Sequence, residues 1–159
     1  MKEGKNYRTQ WAGQFGTAHE LIRRGYIVTF TTGNAPATDL LCRSPEGVSF
    51  SVQVKSLSTK TYFLCQDSLI KRNAIDFIVF VFLPTPRTDR LEYYVLKPPE
   101  YYVLNSEQFC KLMDEQKQKT ERREKERGQE YRQISSGSGI SYKDLSQTGF
   151  RDRWDILPK

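Results

Sequence analysis

Apolar and small residues recur at helical spacing from Trp11 through Phe15, Ala18 and Ile22 to Gly25, and the run closes on "RRGY", a cationic turn followed by a glycine. This spacing predicts a first helix. The next stretch, "YIVTFTT" (26–32), is short and β-branched and reads as a strand, followed by the turn-forming "GNAPAT". "DLLCRS" (39–44) and "VSFSVQVKS" (48–56) read as two further strands, and the "SPEG" between them suits a tight hairpin turn. "TYFLCQ" (61–66) is a fourth candidate. "AIDFIVFVFLP" (74–84) is the most apolar stretch of the chain and reads as a strand covered on both faces, with "LEYYVLK" (91–97) expected to pair with it across "PTPRTD".

From Ser106 to about Gln133 the pattern changes to Glu, Lys, Arg and Gln, with Phe109, Leu112 and Met113 as an apolar anchor near the start. That predicts a helix continuing into a solvated, charged extension. "SSGSG" reads as a flexible break, and the tail "ISYKDLSQTGFRDRWDILPK" ends in a tryptophan and aliphatics expected to dock back on the core. The order of elements predicts a single α/β domain: a core over 1–105, a charged helical extension over 106–133 and a packing tail over 134–159.

Composition is consistent with that plan. The chain has 159 residues, one domain's worth, and although only 37% are hydrophobic, 9 Tyr and 9 Phe allow a core that leans on aromatics. Cys42, Cys65 and Cys110 are widely spaced and read as reduced, partly buried small side chains, and one histidine, His19, makes no zinc site with them. No apolar run is long enough to cross a bilayer, and the start lacks an apolar signal stretch, so the expected location is the cytoplasm with no membrane partner. A formal charge of +6 favours anionic partners.

The strand "FSVQVKS" has an unusual polar face. Phe50, Val52 and Val54 point one way, Ser51, Gln53 and Lys55 the other. The hairpin brings Asp39, at the opening of one strand, beside Gln53 and Lys55, near the end of the next. A carboxylate with neighbouring oxygen donors suits Mg²⁺, and an adjacent lysine can orient water or offset charge on a phosphoryl group.

This constellation resembles the PD-(D/E)XK nuclease superfamily, with Asp39 of "ATDLL" in the place of the metal-binding aspartate and Gln53-Val54-Lys55 in that of (D/E)-x-K. Thr38 replaces the motif's proline, although Pro36 is near. Residues 11–57 together with the tail "GISYKDL…RDRWDIL" are similar to a group of small bacterial endonucleases of that superfamily in which QVK replaces EVK; the resemblance weakens towards Leu104 and is absent from the charged helix. It implies a restriction-endonuclease-like mixed central sheet flanked by helices, and a metal-dependent DNA endonuclease of restriction or homing type. It also implies Mg²⁺, or Mn²⁺ in its place, held by Asp39, Gln53 and the Val54 carbonyl. Catalysis would involve Asp39, Gln53, Lys55 and Gln14.

The family's first helix contributes a glutamate, and two positions compete for that role. At ~100° per residue, Gln14 lies about 60° from the centre of the Trp11/Phe15/Ala18/Ile22 stripe and faces the sheet's edge, whereas Glu20 lies nearly opposite and faces water. Counting back from Gly25 in the family pattern also reaches Gln14. Two expected carboxylates are therefore amides here, which leaves about one anionic ligand.

Double-stranded DNA is the expected partner, and double-strand cutting implies a homodimer or homotetramer. Arg23, Arg24, Ser56, Lys60, Lys71 and Arg72 are candidates for phosphate contact, against capping and solubility roles for the basic residues. The alternative to an enzyme is a nuclease-like DNA-binding or assembly module whose amides mark a weakened site. RNA is a third possible substrate.

Overall fold

The most apolar segment of the chain forms an interior strand of a five-stranded mixed sheet. The computed structural model describes residues 3–31, 38–65, 75–84, 98–126 and 139–159. In chain order the elements are α1 (Glu3–Arg23), β1 (Ile27–Phe30), β2 (Leu40–Arg43), β3 (Ser49–Leu57), β4 (Tyr62–Leu64), β5 (Phe77–Phe82), β6 (Glu100–Asn105), α2 (Ser106–Glu126), β7 (Gly139–Ser141) and α3 (Tyr142–Ser146), with a 3₁₀ turn at Trp154–Ile156. The sheet runs β1-β2-β3-β5-β6, and β4 pairs with β7 in a separate ribbon.

β1, β2 and β3 form the expected antiparallel meander, in register at Thr29↔Leu41 and Leu41↔Ser51. The "SPEG" hairpin closes on a Ser44 N–H to Val48 carbonyl bond of 2.8 Å, with Gly47 at φ 90°, a region that favours glycine. β5 joins β3 in parallel at Val54↔Val79, and β6 returns antiparallel at Val79↔Val103. All six residues of β5 are buried because both its faces are covered. Phe77, Val79 and Val81 pack with Ala18, Leu21, Val52, Val54 and Trp154, while Ile78 and Phe80 pack with Phe63, Phe109, Leu112, Met113 and Leu145. The fold class expected from the sequence is thus the one observed: a single α/β domain with a mixed sheet flanked by helices.

The strand beside β5 is not the expected one. β3 and β6 occupy its two edges. The pairing assigned to 91–97 is therefore corrected to Glu100–Asn105, and 91–97 itself lies outside the described residues. Asn105 then starts α2: its side chain accepts the Gln108 N–H (2.8 Å), and the Gln108 side chain accepts the Asn105 N–H (3.0 Å), a reciprocal cap.

The apolar stripe of α1 is also rotated from its expected position. Phe15 and Ile22 are each 57% exposed, whereas Gly13, Gln14, Thr17, Ala18 and Leu21 face the sheet. The cause is close approach. A Cβ on Gly13 would lie 2.5 Å from Ser56 Oγ, and one on Gly16 would lie 2.8 Å from the Tyr101 hydroxyl. The helix lies down on its small residues, and the bulky ones gather at the rim, where Phe15 stacks on Trp11 (5.5 Å) and meets Phe30 at a tilt (5.0 Å). In the C-terminal segment Trp154 and Leu157 are buried, and Ser44 Oγ donates to the Lys159 carbonyl at 2.6 Å. Among the described residues no helix is long and apolar enough to cross a membrane.

Candidate active site

The site forms where β2 stops and β3 continues. Their ladder ends at Leu40↔Val52, so the backbone N–H of Val54, whose residue pairs with Val79 on the other side, has no strand partner on the β2 side. Asp39 fills the gap. Its own backbone is fixed on both sides, the N–H donating to the Val52 carbonyl (3.1 Å) and the carbonyl accepting from Thr31 N–H (3.0 Å). Its carboxylate accepts the orphaned Val54 N–H on Oδ2 at 2.7 Å.

Two buried amides complete the arrangement. Gln53 Nε2 donates to Asp39 Oδ2 at 2.5 Å, and Gln14 Nε2, reaching in from α1, donates to Oδ1 at 2.8 Å. Both glutamines are under 10% exposed, Gln14 at 6% and Gln53 at 8%. Gln14 is thus where the helical-angle argument put it, although the stripe used to measure that angle is itself displaced. Burial raises the Asp39 carboxyl above its ordinary pKa, opposed by the Val54 N–H, the Lys55 charge and the Gln14 amide. Lys55 thus acts electrostatically on Asp39, and also on the Cys65 thiol. Among the described residues it has no ion pair of its own.

The donor chemistry fits a hard divalent cation in kind. Asp39 supplies carboxylate oxygens, and the Val54 carbonyl points to the same open edge, with Gln53 Nε2 3.5 Å away. The two glutamines add neutral amide oxygens. Charge is the scarce element: among the described residues no group of three His, Cys, Asp or Glu side chains is placed to hold a metal.

The remaining candidates have their own contacts. Glu20, expected to face water, has a side chain only 17% exposed because it lies under arginines: it accepts Arg24 Nη1 at 2.5 Å and Arg23 Nη1 at 3.3 Å. Arg24 also stacks 4.7 Å above Trp154. Ser56 turns its hydroxyl onto the Thr9 carbonyl of α1 (3.0 Å), and Lys60 lies 4.9 Å above the Tyr142 ring. Lys71 and Arg72, like Pro36, lie outside the described residues. One polar cluster escaped the sequence reading: Lys119 of α2 bonds Asp144 of α3. The mixed charges around Lys119 read as a solvated face, and nothing local to them signals the partner.

No protein-family model and no curated protein matches this chain. A solved structure of a bacterial homing endonuclease, I-Ssp6803I, is similar to it with a TM-score of 0.50 and 20% identity, over 93% of this chain and 87% of that one. At that identity the likeness is one of fold, and it extends over nearly the whole chain, so the sheet, its flanking helices and the docked tail together form an endonuclease-like fold.

Proposed function

We propose that this protein is a metal-dependent DNA endonuclease of PD-(D/E)XK type, with Asp39, Gln53, Lys55 and Gln14 as its active site. The observation that carries the reading is the convergence of Gln14, Gln53 and the Val54 backbone on Asp39, with Lys55 acting on the same carboxylate. The fold shared with a homing endonuclease supports DNA as the substrate. Asp39, Gln53 and the Val54 carbonyl are the residues that would hold Mg²⁺ or Mn²⁺, and a bound cation supplies Lewis-acid activation of water and compensation of phosphate charge.

The chain's own groups do the positioning. The Val54 N–H and the strand backbone fix the Asp39 carboxylate at the sheet edge. Lys55 places a cation beside it without a competing carboxylate partner among the described residues, suited to orienting a water or stabilising charge on a phosphoryl oxygen. Gln14 holds the second Asp39 oxygen from the helix side. Double-strand cutting needs two such sites, which we assign to a homodimer or homotetramer; exposed Tyr7, Phe15 and Ile22 on α1 offer apolar surface for a second copy.

Supercoiled plasmid incubated with Mg²⁺, Mn²⁺ or chelator tests the reading. Cleavage is expected only with metal and is lost in Asp39→Ala and Lys55→Ala; cleavage undiminished in both variants refutes it. A second reading, a DNA-binding or assembly module with a weakened site, is favoured by one observation: three N–H donors already occupy the two oxygens of Asp39. It predicts salt-sensitive DNA binding with no turnover in any divalent metal. An RNA competitor added to the plasmid assay separates the third possibility.

A further inference from the structure

A polar pocket of about 340 Å³ lies between α2 and the β7–α3 segment, lined by Lys119, Arg123 and Lys143 with Asp144, Ser141 and Tyr62. Its one acid is already satisfied. Asp144 takes Lys119 on Oδ1 and the Ser141 hydroxyl on Oδ2 at 2.6 Å. Arg123 and Lys143 have no ion pair among the described residues and are exposed, so the pocket keeps two uncompensated cations projected from separate elements. Two cations lining one pocket from separate elements suit a phosphate group.

The pocket has a defined place in the fold. Tyr62 and Ser141 are cross-strand partners at one end of the β4–β7 ribbon. The ribbon leads from there to Cys65, whose thiol the Lys55 charge reaches.

We propose that this pocket grips a backbone phosphate of the bound nucleic acid, separate from the one presented to Lys55. The choice of nucleic acid as the phosphate bearer rests on the function proposed above. Lys119 is the positioning residue: by neutralising Asp144 it leaves Arg123 and Lys143 to the ligand.

Binding of a labelled duplex measured against salt concentration, in chelator so that no cleavage contributes, tests the pocket apart from the enzyme reading. Arg123→Gln and Lys143→Gln are each expected to weaken binding of all sequences alike and to lower the slope of log K against log salt by about 0.9, the value for one lost phosphate contact. Lys125→Gln, the same charge change about 200° around the same helix from Arg123, should leave the slope unchanged. Thermal melts of the three variants report folding. Equal slope changes in all three variants, or none in any, overturn the proposal, as does failure of the wild type to bind the duplex.

Inorganic phosphate and a polyglutamate peptide serve as competing probes. If either binds with dependence on Arg123 and Lys143 while duplex binding ignores both residues, the pocket is a small-anion or acidic-peptide site and the proposal fails. Cleavage and pocket are separable: a wild type that never cuts but shows the two slope changes refutes the endonuclease and keeps the pocket. Metal-dependent cutting with unchanged slopes does the reverse.

Discussion

Gln53→Glu should make the stability of this protein depend on a divalent cation. In the wild type, Gln53 Nε2 donates to Asp39 at 2.5 Å, so the substitution replaces a hydrogen-bond donor with a like charge at the same spot. Losing a hydrogen bond to a charged group costs about 1.5–3 kcal/mol. Two carboxylates about 4 Å apart repel by roughly 4 kcal/mol at an effective dielectric constant near 20. Side-chain rotation and proton uptake relieve part of this, which leaves a net loss of about 2–4 kcal/mol. For a chain of this size each kcal/mol shifts Tm by about 2–4 °C, so the expected drop in chelator is roughly 4–16 °C.

Two further measurements isolate the cause. Gln53→Met removes the donor without adding charge and should cost only the hydrogen-bond part. Mg²⁺ should restore Gln53→Glu more than it raises the wild type, because a cation at 100 times its Kd contributes about 2.7 kcal/mol. The pH dependence has a defined sign. Burial already raises Asp39 above its ordinary value, and a second carboxylate raises proton affinity further, so the folded state binds a proton that the unfolded state releases. The stability of the variant relative to wild type is therefore highest below the ordinary carboxylate range and is lost as pH climbs through the raised value. A variant in chelator as stable as wild type at neutral pH would refute the amide clamp.

Other outcomes follow from the packing. Gly13→Ala should lower stability by about 1–3 kcal/mol through overpacking against Ser56 and should weaken the Gln14–Asp39 contact, and adding Ser56→Gly should restore both, read by thermal melts and by plasmid cutting in Mg²⁺. Trp154→Ala should cost about 3–5 kcal/mol in a denaturant titration, because the ring is buried in the core and packs at a tilt against Tyr101 at 5.5 Å. Lys119 and Ser141 hold the Asp144 carboxyl below its usual range, so its contribution is present at neutral pH and disappears as pH falls through that lowered value; Asp144→Asn should remove this part of the acid limb in melts taken against pH. Cys42 and Cys65 are buried with thiols pushed up to about 12, so a thiol reagent at pH 8 should label Cys110 first and the other two only on unfolding, as mass spectrometry would report.

The sequence was most legible where one local pattern had one physical solution. β5 is apolar at every position because both its faces are covered, and the "SPEG" hairpin needs its glycine at positive φ. It was ambiguous where one pattern fits two places. The five residues EYYVL occur at 92–96 and again at 100–104, with the same alternation and turn signals around both. What distinguishes the second copy is Asn105 and Gln108, which cap α2 directly behind it and so fix the strand that β5 receives. The α1 stripe misled for a different reason. Hydrophobic periodicity assumes that bulk seeks the core, but glycines at 13 and 16 let the helix approach so closely that bulk no longer fits beneath it.

The candidate site was legible as a set of residues but not as a set of atoms. Strand alternation and helix angle suffice to bring Gln14, Asp39, Gln53 and Lys55 to one edge. They do not say whether an amide presents oxygen or nitrogen there. The charge on Asp39 decides that, since a half-buried carboxylate calls for donors and both glutamines answer with Nε2. Three carboxylates in this space would repel one another until a cation joined them, whereas one carboxylate between two amides is satisfied by its own neighbours. Any cation that binds must compete with those hydrogen bonds, and it meets one anionic ligand instead of three. Under the proposed function, amides where the resembled family has carboxylates would give a site that is stable first and binds metal second. Under the proposed function a DNA phosphate would supply much of the missing charge, and metal affinity should rise when DNA is bound.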